Sequence, residues 1–173
     1  MFYSNLKSLF LTFLLLSTVV VATPLRVVSI TNDFASIANY IGGDRVDVSV
    51  LVSGSRNLHD IQAKPSMVLS VRDADMIIRL GMSQDKWIDG LIEVARNPKL
   101  FPNKPGYVDP SVVINALEVP TGQIDGRHGD IHIEGNPHYW LDPQNGLKIA
   151  AVIRDRLSEL DPNSSDYFNT NYQ

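Results

Sequence analysis

The chain has 173 residues, 44% hydrophobic and 20% charged, with a formal net charge of −4, the composition of an ordinary globular protein. It contains no cysteine, which excludes disulfides, thiolate metal sites and catalytic thiols. The acidic balance is broken by no basic patch, which argues against nucleic acid as a partner.

The first 22 residues read as an export signal and are set aside from the fold. Lys7 supplies a short basic start, Leu9 to Ala22 form a nearly unbroken apolar run, and Val20 and Ala22 stand at −3 and −1 of a cleavage site before Thr23. A spanning helix needs about 20 apolar residues, so this run of 14 is short for the alternative, an uncleaved membrane anchor. No cysteine is available for lipid attachment. The expectation is a soluble, periplasmic protein whose mature part, residues 23–173, carries 14 basic and 19 acidic side chains.

Within that part strands and helices alternate. Arg26 to Thr31 is a short β-branched run and the first expected strand. Asn32 or Asp33 is placed to cap a helix running to about Ile41, which Gly42-Gly43 stops. Val46 to Val52 is the second strand, and a polar loop from Ser53 to Asn57 leads to His59. Pro65 suits the first turn of a helix that carries Met67, Val68 and Val71 inward. Asp75 to Leu80 is the third strand, closed by Gly81, and Trp87, Leu91, Val94 and Ala95 mark an amphipathic helix. From Asn97 to Pro143 the chain is rich in Pro and Gly, with extended pieces near Tyr107-Val108 and Leu117 to Val119. So long an irregular stretch is characteristically functional. A helix follows Pro143 with Ala150, Ile153, Leu157 and Leu160 on one face; Asp161-Pro162 breaks it, and Ser164 or Ser165 caps another from Asp166. This order predicts an α/β fold, a mainly parallel sheet flanked by helices on both faces.

The candidates for chemistry are the four histidines, His59, His128, His132 and His138. His59 follows the second strand, and in an open α/β sheet ligands bind beyond the carboxyl ends of the strands; its plain alternative is a solvent-exposed loop histidine. His138 is held between Pro137 and Trp140, so it would lose little entropy on binding a metal. Its alternative is a core histidine satisfied by a backbone carbonyl. His128 and His132 have the i, i+4 spacing of zinc ligands on a helix, but Gly126 and Gly129 argue against a helix and no glutamate follows His128, so the metalloprotease motif is missing. With Asp125, Asp130 and Glu134 they still make a dense set of nitrogen and oxygen donors, or else a hydrophilic surface loop. No nucleophile elbow and no phosphate loop is present.

Two of these segments resemble one family. Asn57-Leu58-His59-Asp60-Ile61-Gln62-Ala63-Lys64-Pro65-Ser66 is similar to the first ligand segment of the zinc and manganese solute-binding proteins of ABC importers (the cluster A-I family, zinc type), and Asn136-Pro137-His138-Tyr139-Trp140-Leu141-Asp142-Pro143 to their second. Asp73-Ala74-Asp75 with Ile77 and Gly81 resembles the strand entry between them. The resemblance implies two α/β lobes joined by a long helix, with the ion in the cleft on three histidines and a carboxylate. Residues 23–160 would be the first lobe, with His59 and His138 as its two ligands, and 161–173 the start of the linking helix. The other ligands normally come from a second lobe, which is absent from this chain. The loop bearing His128 and His132 resembles the histidine-rich capture loop of zinc-type members and makes these two possible auxiliary ligands.

The resemblance implies Zn2+ as transported ligand, Mn2+ as its alternative, a membrane permease of a metal ABC transporter as partner, and with it a possible periplasmic metallochaperone. Imidazoles with a carboxylate suit zinc, although site geometry and metal supply decide selectivity more than raw affinity. Two rival readings are a secreted zinc-dependent hydrolase, which would need a general base that no glutamate beside the histidines supplies, and a surface adhesion protein on the same fold.

Overall fold

The computed structural model describes residues 23–54, 58, 61–121 and 132–173. Four strands form one parallel sheet in the order β2-β1-β3-β4: β1 Leu25–Ser29, β2 Val46–Val50, β3 Met76–Ile78 and β4 Tyr107–Val108. The first three expected strand runs are longer than the ladders, while the extended piece at Tyr107-Val108 coincides with β4. Hydrogen bonds nevertheless continue past the ends, from Ile30 N–H to the Ile78 carbonyl (3.0 Å) and from Leu51 N–H to the Ser29 carbonyl (2.9 Å).

The strand order dictates where the helices go. From β1 the chain moves outward to β2 through α1 (Asn32–Gly42), then crosses back over β1 to β3 through α2 (Pro65–Asp73) and on to β4 through α3 (Trp87–Ala95). With right-handed crossovers, a reversal of direction puts α1 on one face and α2 and α3 on the other. Accordingly α2 packs on α3, while α1 packs on α4 (Pro143–Leu160) and α5 (Ser165–Tyr172). The core is the sheet's own apolar side chains, Val27, Val28, Ile77 and Ile78, covered by Phe34, Ala38 and Ile41 of α1, Ile149, Ile153 and Leu157 of α4, Phe168 of α5, and Met67 and Val71 of α2. Among the described residues no helix is long and apolar enough to cross a membrane.

Several local expectations change. In α3 the buried stripe is Ile88, Leu91, Ile92 and Ala95, whereas Val94 is 67% exposed and Trp87 only partly buried; a contiguous i, i+3, i+4, i+7 stripe of four competes better for the sheet than one including Val94. Leu117 to Val119 is no strand. Glu118 has φ +55, and the Leu117 carbonyl accepts from Asn136 N–H instead of from a neighbouring strand. The N-cap of α1 is Thr31, one residue before the expected caps, and that of α5 is Ser164 at the end of a 3-10 turn; neither side chain accepts a capping hydrogen bond.

Candidate metal centre

The order in which strands are added reverses between β1 and β3, and the crevice at the carboxyl ends of these parallel strands is the natural ligand position of such a fold. Two segments converge there. The chain leaving β3 makes a tight turn, and residues 132–141 lie against it.

That turn holds three successive residues in left-handed backbone, Gly81 (φ +73), Met82 (φ +47) and Ser83 (φ +58). Gly81 admits no side chain, because a Cβ there would meet Ser111 Oγ at 2.2 Å and Asp109 Oδ1 at 2.3 Å. What fixes so strained a run is a buried ion pair. The Arg79 guanidinium donates to Asp85 Oδ1 from Nε (3.2 Å) and Nη2 (2.8 Å), and Asp85 Oδ2 accepts the Leu80 N–H at 2.5 Å. Arg79 also bonds the exposed Asp89 (2.8 Å) and the Tyr107 hydroxyl. Burial pushes the Asp85 carboxyl up against the opposing pull of Arg79, while Asp85 holds Arg79 firmly charged despite its own burial. Splitting such a pair would strand one charge in a dry site, a loss of about 3–5 kcal/mol.

The second segment is tied to the first at both ends. Ser83 Oγ donates to Glu134 Oε1 (2.9 Å), and the Tyr139 hydroxyl donates to the Leu80 carbonyl (2.7 Å). Burial, with the negative Asp109 and Asp85 nearby, raises the Tyr139 phenol far above its ordinary range, so it remains a neutral donor. Between these ties the loop turns sharply. Gly135 has φ +106, and a Cβ on it would lie 2.6 Å from the Leu117 carbonyl oxygen. Asn136 then bonds to Leu117 through its N–H (2.7 Å) and to Glu118 Oε2 through Nδ2 (2.8 Å). Past the loop, Asp142 Oδ1 caps α4 by accepting the Gln144 N–H at 2.9 Å.

His138 is exposed, not a core residue satisfied by a carbonyl. Its partner is the Asn136 side chain. Oδ1 of Asn136 accepts the His138 N–H at 3.0 Å and lies 3.1 Å from Nδ1 of the ring. Because that oxygen can only accept, the contact is a hydrogen bond when Nδ1 carries the proton, which puts the ring's lone pair on Nε2. A ligand histidine characteristically has its other nitrogen tied to such a partner. The ring also rests on Trp140, centroids 5.5 Å apart, and Trp140 meets Phe34 of α1 edge-on at 6.3 Å.

Of the other candidates, His132 is described and partly buried, its carbonyl accepting the Gly135 N–H (3.1 Å). His59 and His128, with Asp125 and Asp130, lie outside the described residues; Leu58, just before His59, packs against the core. Among the described residues no three histidine or carboxylate side chains come together in a set able to hold a metal. Sequence reasoning passed over Asn136, although Asn two residues before a backbone donor and directly before Pro spells an Asx turn. It also passed over the Tyr139 hydroxyl, whose partner is 59 residues away.

Comparison with known proteins agrees with this architecture. Residues 27–173 match the model of the ZnuA family, zinc-uptake complex component A, periplasmic. The iron-binding protein YfeA of Yersinia pestis is 28% identical over 88% of this chain and 44% of its own length. The manganese ABC transporter substrate-binding lipoprotein PsaA of Streptococcus pneumoniae is 30% identical over 85% of this chain and 45% of its own. Among solved structures, a zinc-bound deletion mutant of ZnuA superposes with a TM-score of 0.69 at 25% identity, covering 86% of this chain and 52% of that one. The chain thus spans about half the length of the proteins it matches, and these relatives are named as binding proteins and not as enzymes. On the strength of the match over residues 27–173, the chain belongs to the ZnuA family of metal-binding proteins.

Proposed function

We propose that this chain is the metal-capturing amino-terminal lobe of an extracytoplasmic solute-binding protein, which takes a divalent cation, zinc before manganese, and delivers it to the permease of an ABC importer. In this reading residues 1–22 direct export, His138 and His59 supply the lobe's two imidazole ligands, and α5 leads into the helix that joins the lobes. His132 and His128 serve as auxiliary ligands during capture.

The observation that supports it best is the presentation of His138: an exposed ring, its Nδ1 bonded to Asn136 and its plane braced on Trp140. An imidazole offered this way binds a borderline-soft cation through Nε2 without first breaking a protein contact. The relatives are named for iron and for manganese, and the matching solved structure holds zinc, so the metal follows from the full coordination geometry. Nothing in the relatives speaks for a metallochaperone, and the reading does not require one.

The test is native mass spectrometry of the protein purified from its own host, followed by chelator competition on His59→Ala and His138→Ala. One bound zinc, and at least a tenfold loss of affinity in each variant, is the expected result. Wild-type affinity in either variant removes that residue from the site. Alanine at both His132 and His128, with capture kinetics unchanged, removes the auxiliary role.

A further inference from the structure

We infer that Tyr139 is a positioning residue for metal binding: its hydroxyl, bonded to the Leu80 carbonyl, fixes His138 against the turn that follows β3. The inference rests on His138 being a ligand. Asn136 and His138 are bonded to each other across two residues. That contact sets how the imidazole is rotated, but it moves with the loop and cannot fix the loop's place on the lobe. Asn136 is tied outward to Leu117 and Glu118, and Glu134 to Ser83, but all of these ties precede His138; on its other side the anchor is Tyr139, the next residue in the chain.

The anchor is built on rigid ground. Leu80, fully buried, is held on its N–H side by Asp85 Oδ2 (2.5 Å), and Asp85 is itself held by Arg79. On its carbonyl side Leu80 receives the Tyr139 hydroxyl at 2.7 Å. The Tyr139 ring is wedged between Phe34 (centroids 6.2 Å) and Trp140 (5.8 Å), so its phenol cannot swing to another acceptor without disturbing both. The Tyr139 carbonyl, finally, accepts from Asn145 Nδ2 of α4 (3.1 Å). One residue thereby links β3, α1 and α4 to the residue carrying the imidazole. A displacement of about 1 Å at such a point is enough to degrade a site built on fixed geometry.

Tyr139→Phe removes the hydroxyl and keeps the ring, so the fold survives where Asp85→Asn would leave the buried Arg79 with only the exposed Asp89 as counter-charge. The variant is compared with wild type and with His138→Ala at a temperature well below melting. Zinc affinity is read by chelator competition, and cobalt(II) serves as a spectroscopic probe whose visible absorption reports ligand geometry. The expected result is about a tenfold loss of zinc affinity in Tyr139→Phe, together with an altered cobalt spectrum, and loss of binding in His138→Ala. If Tyr139→Phe keeps wild-type affinity and spectrum while His138→Ala loses both, the positioning role is wrong and the ligand assignment stands, even if the variant melts earlier. If His138→Ala binds as wild type does, the functional reading fails and carries this inference with it.

Discussion

Asn136 ties His138 to the neighbouring 117–118 segment. Its Oδ1 serves His138 twice, its Nδ2 serves Glu118, and its backbone N–H serves Leu117. Asn136→Ala should lower metal affinity by about 10–100-fold, the usual cost of losing the partner of a ligand histidine. Asn136→Asp should retain more, because a carboxylate still accepts from Nδ1 and makes the imidazole more basic, although it gives up the bond to Glu118. Chelator competition ranks the three proteins, and an alanine variant equal to wild type would detach Asn136 from the site. Gly135→Ala should destabilise by more than about 1 kcal/mol in urea unfolding, since its φ of +106 and the nearby Leu117 carbonyl leave a methyl group no room. At this scale the sequence was legible where the constraint is local. Pro137, His138 and Trp140 lie within four residues and announce a rigid histidine. Tyr139 to Leu80 and Ser83 to Glu134 join positions more than 50 apart, and no local pattern encodes such pairs.

Among the elements, the junction between α2 and β3 shows best how side chains set the sheet. Asn97, almost fully buried, donates from Nδ2 to the carbonyls of Val71 (3.0 Å) and Ala74 (2.7 Å), satisfying the end of α2. Asp75 bridges Lys99 Nζ (2.7 Å) and the Arg26 N–H at the start of β1 (3.0 Å). Burial raises the Asp75 carboxyl, but the bonds from Lys99 and Arg26 outweigh it and hold the group below its ordinary value. A carboxyl depressed in the folded state adds stability that is fully present above its unfolded value. That stability is lost as the pH falls through the folded value. Asp75→Asn should therefore be less stable than wild type at pH 7, and the gap should close below roughly pH 4, the ordinary aspartate range. Thermal melts across pH 2–7 measure it; a gap independent of pH would assign the effect to packing and not to charge. Asp73-Ala74-Asp75 was readable as the entry to a strand through its resemblance to the family's segment. The face of α3 was misread at two of its four positions, Ile88 and Ile92 being buried where Trp87 and Val94 were expected, because all four are apolar and only the packing beneath decides among them.

In the whole molecule, a parallel sheet with helices on both faces follows from the alternation of strands and helices, so that much of the architecture was legible, whereas the order β2-β1-β3-β4 was not. Nor was the assembly of the site, because it depends on how the 132–141 segment lies over the turn after β3. Site and fold are nevertheless separable. His138 is exposed and its ring contacts only Asn136 and Trp140 among the contacts given above, so His138→Ala should leave the metal-free melting temperature almost unchanged, within the ±0.5 kcal/mol or so of ordinary surface substitutions. A cation that binds only the folded protein stabilises it by mass action, by about 2.7 kcal/mol when its free concentration is 100 times the dissociation constant. Zinc should therefore raise the melting temperature of the wild-type protein by on the order of 5 °C, and most of that rise should vanish in His138→Ala. Differential scanning calorimetry with and without zinc reads both quantities in one series. Equal zinc-induced shifts in the two proteins would mean that the cation binds elsewhere, and an equal drop with and without zinc would mean that His138 serves the fold and not the metal.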